Sequence, residues 1–176
     1  MNRLKLATVW LDGCSGCHMS LLDMDLALLE MAPRLDLVYG PLVDAQEFPE
    51  GVDVTLVEGA VSSQDDLKKV EKIRSRTRLL VALGDCAVTS NVPAMRNGIA
   101  PHKLLQAIYV EHAEESRVVP IDGVPPLLPQ ARPVHEFVKV DVHLPGCPPP
   151  PRAIVTLLQD LVARRKPEAN PKVKFG

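Results

Sequence analysis

Aromatic side chains are scarce: Phe, Tyr and Trp make up 3% of the 176 residues. That leaves few platforms on which bases could stack and few of the aromatic anchors common at interface centres. A basic excess is missing as well. Lys and Arg number 20 against 22 Asp and Glu, a formal charge of -2, so a phosphate backbone finds no electrostatic footprint and nucleic acid is not an expected partner. No stretch approaches the roughly 18–20 consecutive apolar residues that a spanning helix needs, which argues against membrane insertion. Neither GxGxxG nor GxxxxGK[ST] occurs, and no nucleotide is expected to bind this chain. Met1, Asn2 and Arg3 lead into a short apolar run without a twin-arginine pair or a small-residue cleavage site, so a cytoplasmic location is expected. In that reducing compartment the chain's four cysteines are expected to hold a metal or do redox chemistry rather than to pair as disulfides.

What is present reads as one folded domain over residues 1–176. Apolar residues at 46% and charged residues at 24% are near globular averages, and the length suits a single core. Leu4 to Leu11 reads as a buried strand ending at the turn-forming Asp12-Gly13. Apolar residues then recur at helical spacing from His18 to Met31, a crossover helix stopped by Pro33. Strands are expected at Leu35 to Tyr39, Val52 to Val57, Thr77 to Leu83 and Phe137 to Val142. Helices are expected at Gln64 to Ser75, around His102 to Glu115, and from about Arg152 to Arg165. Strands alternating with helices argue for an α/β fold with a doubly wound parallel sheet, because parallel neighbours need crossover connections. Ten of the 17 prolines lie between Val118 and Pro151. Residues 118–136 accordingly read as a rigid, irregular excursion suited to docking, and 164–176 as a solvated basic tail.

On this outline every cysteine leaves the C-terminal end of a strand: Cys14 and Cys17 after the first, Cys86 after the fourth, Cys147 after the fifth. Open α/β sheets bind ligands at that edge, where the strand order reverses. Four thiolates complete the ligand set of a tetrahedral zinc or of a [4Fe-4S] cluster. One CxxC joined by two lone cysteines, with Pro148 after Cys147, matches the cluster pattern better than paired zinc knuckles. A scaffold or interaction module stabilised by zinc on the four cysteines, without redox activity, is the alternative, and a redox CxxC beside two core cysteines is a third reading.

Trp10-Leu11-Asp12-Gly13-Cys14-Ser15-Gly16-Cys17, Val57-Glu58-Gly59-Ala60, Gly84-Asp85-Cys86-Ala87 and Pro145-Gly146-Cys147-Pro148-Pro149 occur in the order and approximate spacing of the nickel-iron hydrogenase small subunit. Over most of its length the chain resembles the short, single-cluster small subunits of cytoplasmic NAD-reducing hydrogenases. The resemblance implies a flavodoxin-like fold and a proximal [4Fe-4S] cluster on Cys14, Cys17, Cys86 and Cys147. Longer members carry further cluster cysteines in a C-terminal extension, whereas no cysteine follows Cys147 here, so one cluster is implied. The related quinone-reductase subunit of respiratory complex I has adjacent cysteines where Ser15-Gly16 separates Cys14 from Cys17, which favours the hydrogenase branch.

The same resemblance implies an electron-transfer subunit of a hydrogen:NAD oxidoreductase, inactive alone. Its partners would be a large subunit carrying the nickel-iron site, an iron-sulfur relay, and a flavin-containing diaphorase. No flavin is expected in this chain, since the first strand-to-helix turn is filled by cysteines. Four further residues are candidates on their own chemistry. Glu58 ends a strand at the cysteine edge and could bond backbone there or take part in proton movement. His18 follows a ligand and could donate to a sulfur or line an interface. Ser15 and Gly16 suit a tight loop whose amides point at anionic sulfurs.

Overall fold

The computed structural model describes residues 3–115 and 117–168. Its main sheet holds five parallel strands: β1 (Leu4–Trp10), β2 (Leu35–Tyr39), β3 (Val52–Glu58), β5 (Thr77–Leu83) and β7 (Val142–Leu144). They lie in the order β2-β1-β3-β5-β7, with every pairing parallel. Counting only these five, the order is 2-1-3-4-5, the flavodoxin-like doubly wound arrangement, and the chain reverses direction across the sheet between β1 and β3. A crevice therefore opens beyond the C-terminal ends of β1 and β3.

Side-chain alternation along each strand feeds two cores. Val54 and Leu56 of β3 and Val81 and Leu83 of β5 pack with helices α1 (Gly16–Leu22), α2 (Leu26–Met31) and α6 (Pro151–Val162). On the opposite face Val57, Leu80 and Ala82 pack with α3 (Gln64–Arg76) and α4 (Asp85–Thr89). A capping box starts α3: the Ser63 hydroxyl accepts from the Asp66 amide while the Asp66 carboxylate takes the Ser63 N–H, the reciprocal satisfaction that S-x-x-D permits. After α4 come a 3-10 turn at Val92–Gly98, α5 (Pro101–Gln106) and a π turn at Ala107–Glu111.

Four elements differ from the sequence reading. The helix expected around His102 to Glu115 is α-helical only to Gln106, continues as the π turn and stops at Glu111. The helix expected from His18 to Met31 is two helices, broken where Asp25 takes φ 49°; the break turns Met24 into the core and leaves Leu26 and Leu29 outside. The fifth strand is Val142–Leu144, not Phe137 to Val142, because Val134–Glu136 forms a 3-10 turn and the Asp141 carboxylate takes the Leu80 amide itself. The excursion at 118–136 is not wholly irregular. Its Leu127–Arg132 is β6, paired antiparallel with β4 (Val61–Ser63) in a separate two-stranded sheet, where Pro129 is tolerated because an edge strand need not donate every amide. Of the basic tail, 169–176 lie outside the described residues.

Candidate metal centre

The first loop is shaped by backbone conformations that few residues allow. Glu58 O accepts the Leu11 N–H, and Asp12 and Ala60 exchange two hydrogen bonds, so the chain leaving β1 runs against the chain leaving β3. Gly59, at φ +93°, makes this possible: a Cβ there would sit 2.8 Å from backbone carbons of Leu11 and Asp12, closer than any side chain tolerates. Ser15 takes the left-handed conformation at φ 66° immediately before α1. The Gly16 amide then turns back and donates to Cys14 Sγ at 3.4 Å.

Contacts between residues 61 and 129 positions apart bring the later cysteines to this loop. The Asp85 N–H donates to Gly146 O at 2.9 Å, and the Gly146 N–H donates to Asp85 Oδ1 at 2.7 Å, clamping the Cys86 turn to the Cys147 loop. The Ser20 hydroxyl of α1 donates to Pro149 O at 2.5 Å, tying the CxxC helix to the chain just beyond Cys147. The Cys147–Pro148 peptide is cis. Cys17 is buried, Cys86 half-buried, and Cys14 and Cys147 exposed, so the site opens on one side to the surface.

Cys14, Cys86 and Cys147 all stand within electrostatic reach of Cys17, and Cys14 and Cys147 within reach of Cys86. Burial pushes the Cys17 thiol well up, and negative charge on Glu58, Cys86, Cys14 and Cys147 pushes it further. Burial likewise raises Cys86, opposed by a hydrogen bond from the Val92 amide and reinforced by Cys147, Cys14 and Glu58. Such a cluster is unfavourable as four bare thiolates and favourable once a cationic centre takes them as ligands, because coordination deprotonates a thiol outright. Among the described residues no group of three His, Cys, Asp or Glu side chains is disposed to share one metal ion.

The structure also places the four further candidates. Ser15 and Gly16 form the turn between Cys14 and Cys17, with the Gly16 amide on sulfur. Glu58 and His18 are buried beside them, the His18 N–H donating to Glu58 Oε2 at 3.0 Å and ring Nδ1 contacting the same oxygen. Sequence reasoning missed Ser20, Asp85 and Val92. Asp85 stood in a motif and could have been noticed beside Cys86. Ser20 and Val92 carry no local signal, since each acts on a loop its own neighbours do not predict.

Residues 14–161 match the model of a family described as NADH ubiquinone oxidoreductase, 20 kDa subunit. The delta subunit of the NAD-reducing hydrogenase HoxS of Cupriavidus necator is 39% identical over 169 residues, covering 93% of this chain and 81% of that one. A vhu subunit of the F420-non-reducing hydrogenase of Methanocaldococcus jannaschii is 37% identical over 172 residues, 97% of this chain but 60% of the relative; this chain thus spans about three-fifths of that protein's length. A chain in the crystal structure of an NAD+-reducing [NiFe]-hydrogenase in the H2-reduced state superposes with a TM-score of 0.90 at 38% identity, covering 95% of both.

Proposed function

The chain belongs to the NADH ubiquinone oxidoreductase 20 kDa subunit family, and from that premise we propose that it is the electron-transfer small subunit of a nickel-iron hydrogenase that reduces NAD. The observation that carries this reading is the convergence of the loops of Cys14, Cys17, Cys86 and Cys147, tied by the Asp85–Gly146 and Ser20–Pro149 hydrogen bonds, with the other three cysteines close enough for their charge to act on buried Cys17. Similarity to the delta subunit of a NAD-reducing hydrogenase and to a solved NAD+-reducing [NiFe]-hydrogenase chain supports the direction of electron flow.

The residues fit a [4Fe-4S] cluster better than zinc. A tetrahedral zinc with Zn–S near 2.3 Å holds its thiolates about 3.8 Å apart, a convergence that the described residues do not offer to one ion. A cubane takes one thiolate at each of four separate irons, so its four cysteine sulfurs need not converge on one point. When bound, the cluster supplies one-electron transfer. This chain's residues do the rest: Cys14, Cys17, Cys86 and Cys147 ligate, Gly16 and Val92 donate amides to two of the sulfurs and so favour the reduced state, and the Asp85–Gly146 clamp holds two ligand loops in register.

Electrons enter from a nickel-iron site in a large-subunit partner and leave towards an iron-sulfur relay and a flavin-containing diaphorase. The 118–136 excursion packs on these partners, and the assembly works in the cytoplasm. Among the described residues no helix is long and apolar enough to cross a membrane. Iron and acid-labile sulfide are measured on the chain purified anaerobically with its partner subunits. About four of each per chain are expected; one zinc without sulfide overturns the reading.

A further inference from the structure

Glu58 is the last residue of β3 and is 1% exposed, a carboxylate carried into the crevice where four thiols meet. Both of its contacts to His18 use Oε2: the main-chain N–H at 3.0 Å and ring Nδ1. Two bonds to the residue that directly follows Cys17 fasten the first turn of α1, at a ligand, to the central strand of the sheet. The carboxylate in turn raises the thiols of Cys17 and Cys86, so Glu58 lies within electrostatic reach of two of the sulfurs.

The His18 residue is 7% exposed, and its second ring nitrogen, Nε2, is buried without any hydrogen-bond partner. Buried polar atoms are nearly always satisfied, and an orphan marks the place of a group still to arrive. Gripped at Nδ1, the ring cannot turn away to find water. An acceptor rich in lone pairs and negative charge, of the kind four thiolates and bridging sulfides present, satisfies it.

We propose that Glu58 and His18 are a positioning pair for the cluster: Glu58 holds Cys17 in ligating register through residue 18 and aims the imidazole so that Nε2 donates to a cluster sulfur. The inference rests on the reading of the four cysteines as cluster ligands. Carboxylates that orient an imidazole beside a metal work on the same principle, with the ring here serving a thiolate-bound centre instead of ligating it.

The test uses the complex of this chain with its large subunit, purified anaerobically as wild type, Glu58→Gln, Glu58→Ala and His18→Ala. Iron per chain, the electron paramagnetic resonance spectrum of the reduced cluster, and its reduction potential are measured. Glu58→Gln, whose amide oxygen still accepts the residue-18 N–H, is expected to keep wild-type iron, and Glu58→Ala to lose it several-fold. His18→Ala keeps the backbone anchor and so the iron, but its potential falls and its spectrum changes, because hydrogen bonds to cluster sulfurs raise the potential. A role confined to packing would lower thermal stability without moving potential or spectrum. Should Glu58→Ala fail to assemble, His18→Ala decides: an unchanged potential and spectrum overturn the pair. A wild-type complex without a cluster overturns the cysteine reading itself, which separates the two failures.

Discussion

A Cβ added at Gly84 would come within 2.2 Å of Cys17 Sγ, and the backbone there, at φ 83° and ψ 164°, lies in a region that is essentially glycine's alone. Both facts bear on Cys17, because the thiol that must move is its buried one. Gly84→Ala is therefore expected to cost about 1–3 kcal/mol in backbone strain and to displace Cys17 as well. The check is paired: thermal midpoint for the strain, iron per chain for the displacement. A variant that loses midpoint but keeps full iron would show that Cys17 can retreat without leaving the site. At this scale the sequence is legible in part. A glycine before Asp85-Cys86 announces a tight turn, but the atom that a side chain would strike belongs to Cys17, far earlier in the chain, and nothing local names it.

Asp141 shows how an element can be misread by a few residues. Phe137 to Val142 is apolar enough to suggest a strand, yet the ladder to β5 begins at Val142: the Asp141 N–H still donates to Leu80 O at 2.9 Å, but the Leu80 amide turns to the Asp141 side chain rather than to a main-chain carbonyl. Its carboxylate accepts from the Leu80 amide at 2.9 Å and from Arg74 Nη1 at 2.7 Å. Burial pushes this carboxyl up, but the Leu80 amide, Arg74 and Lys139 together outweigh burial and hold it below the usual carboxylate range. A carboxyl depressed in the folded state contributes stability that is fully present above its unfolded value, near 3.9, and is lost as pH falls through the lower folded value. Asp141→Asn is accordingly expected to lower stability by about 1 kcal/mol at neutral pH, a modest figure because the pair is partly solvated. The gap to wild type should close below about pH 4. Thermal midpoints of both proteins across about pH 3 to 8 check this, and a gap constant with pH would assign the loss to packing.

For the whole molecule, the proposed reading gives the four cysteines one cluster, one way in for electrons, with the next carrier expected in another subunit. Hydride formation requires a flavin or equivalent to join single electrons into a pair. The chain alone is expected to oxidise no hydrogen, its pair with the large subunit to reduce artificial dyes, and NAD reduction to appear only when relay and flavin subunits are added. Hydrogen-dependent NADH formation by the two-subunit pair checks this, and a robust rate there would place a nucleotide or flavin site in this chain. The alternation of apolar strands with helices, and the placing of every cysteine after a strand, were determined by the sequence alone, because periodicity and turn chemistry act over a few neighbouring residues. Only the tertiary structure decided that Glu58 grips His18 across 40 residues, that Asp85 clamps Gly146 across 61, and that Ser20 reaches Pro149 across 129. Such contacts depend on which strands lie side by side and in what register, and a change of strand order would scatter the same residues along different edges of the sheet.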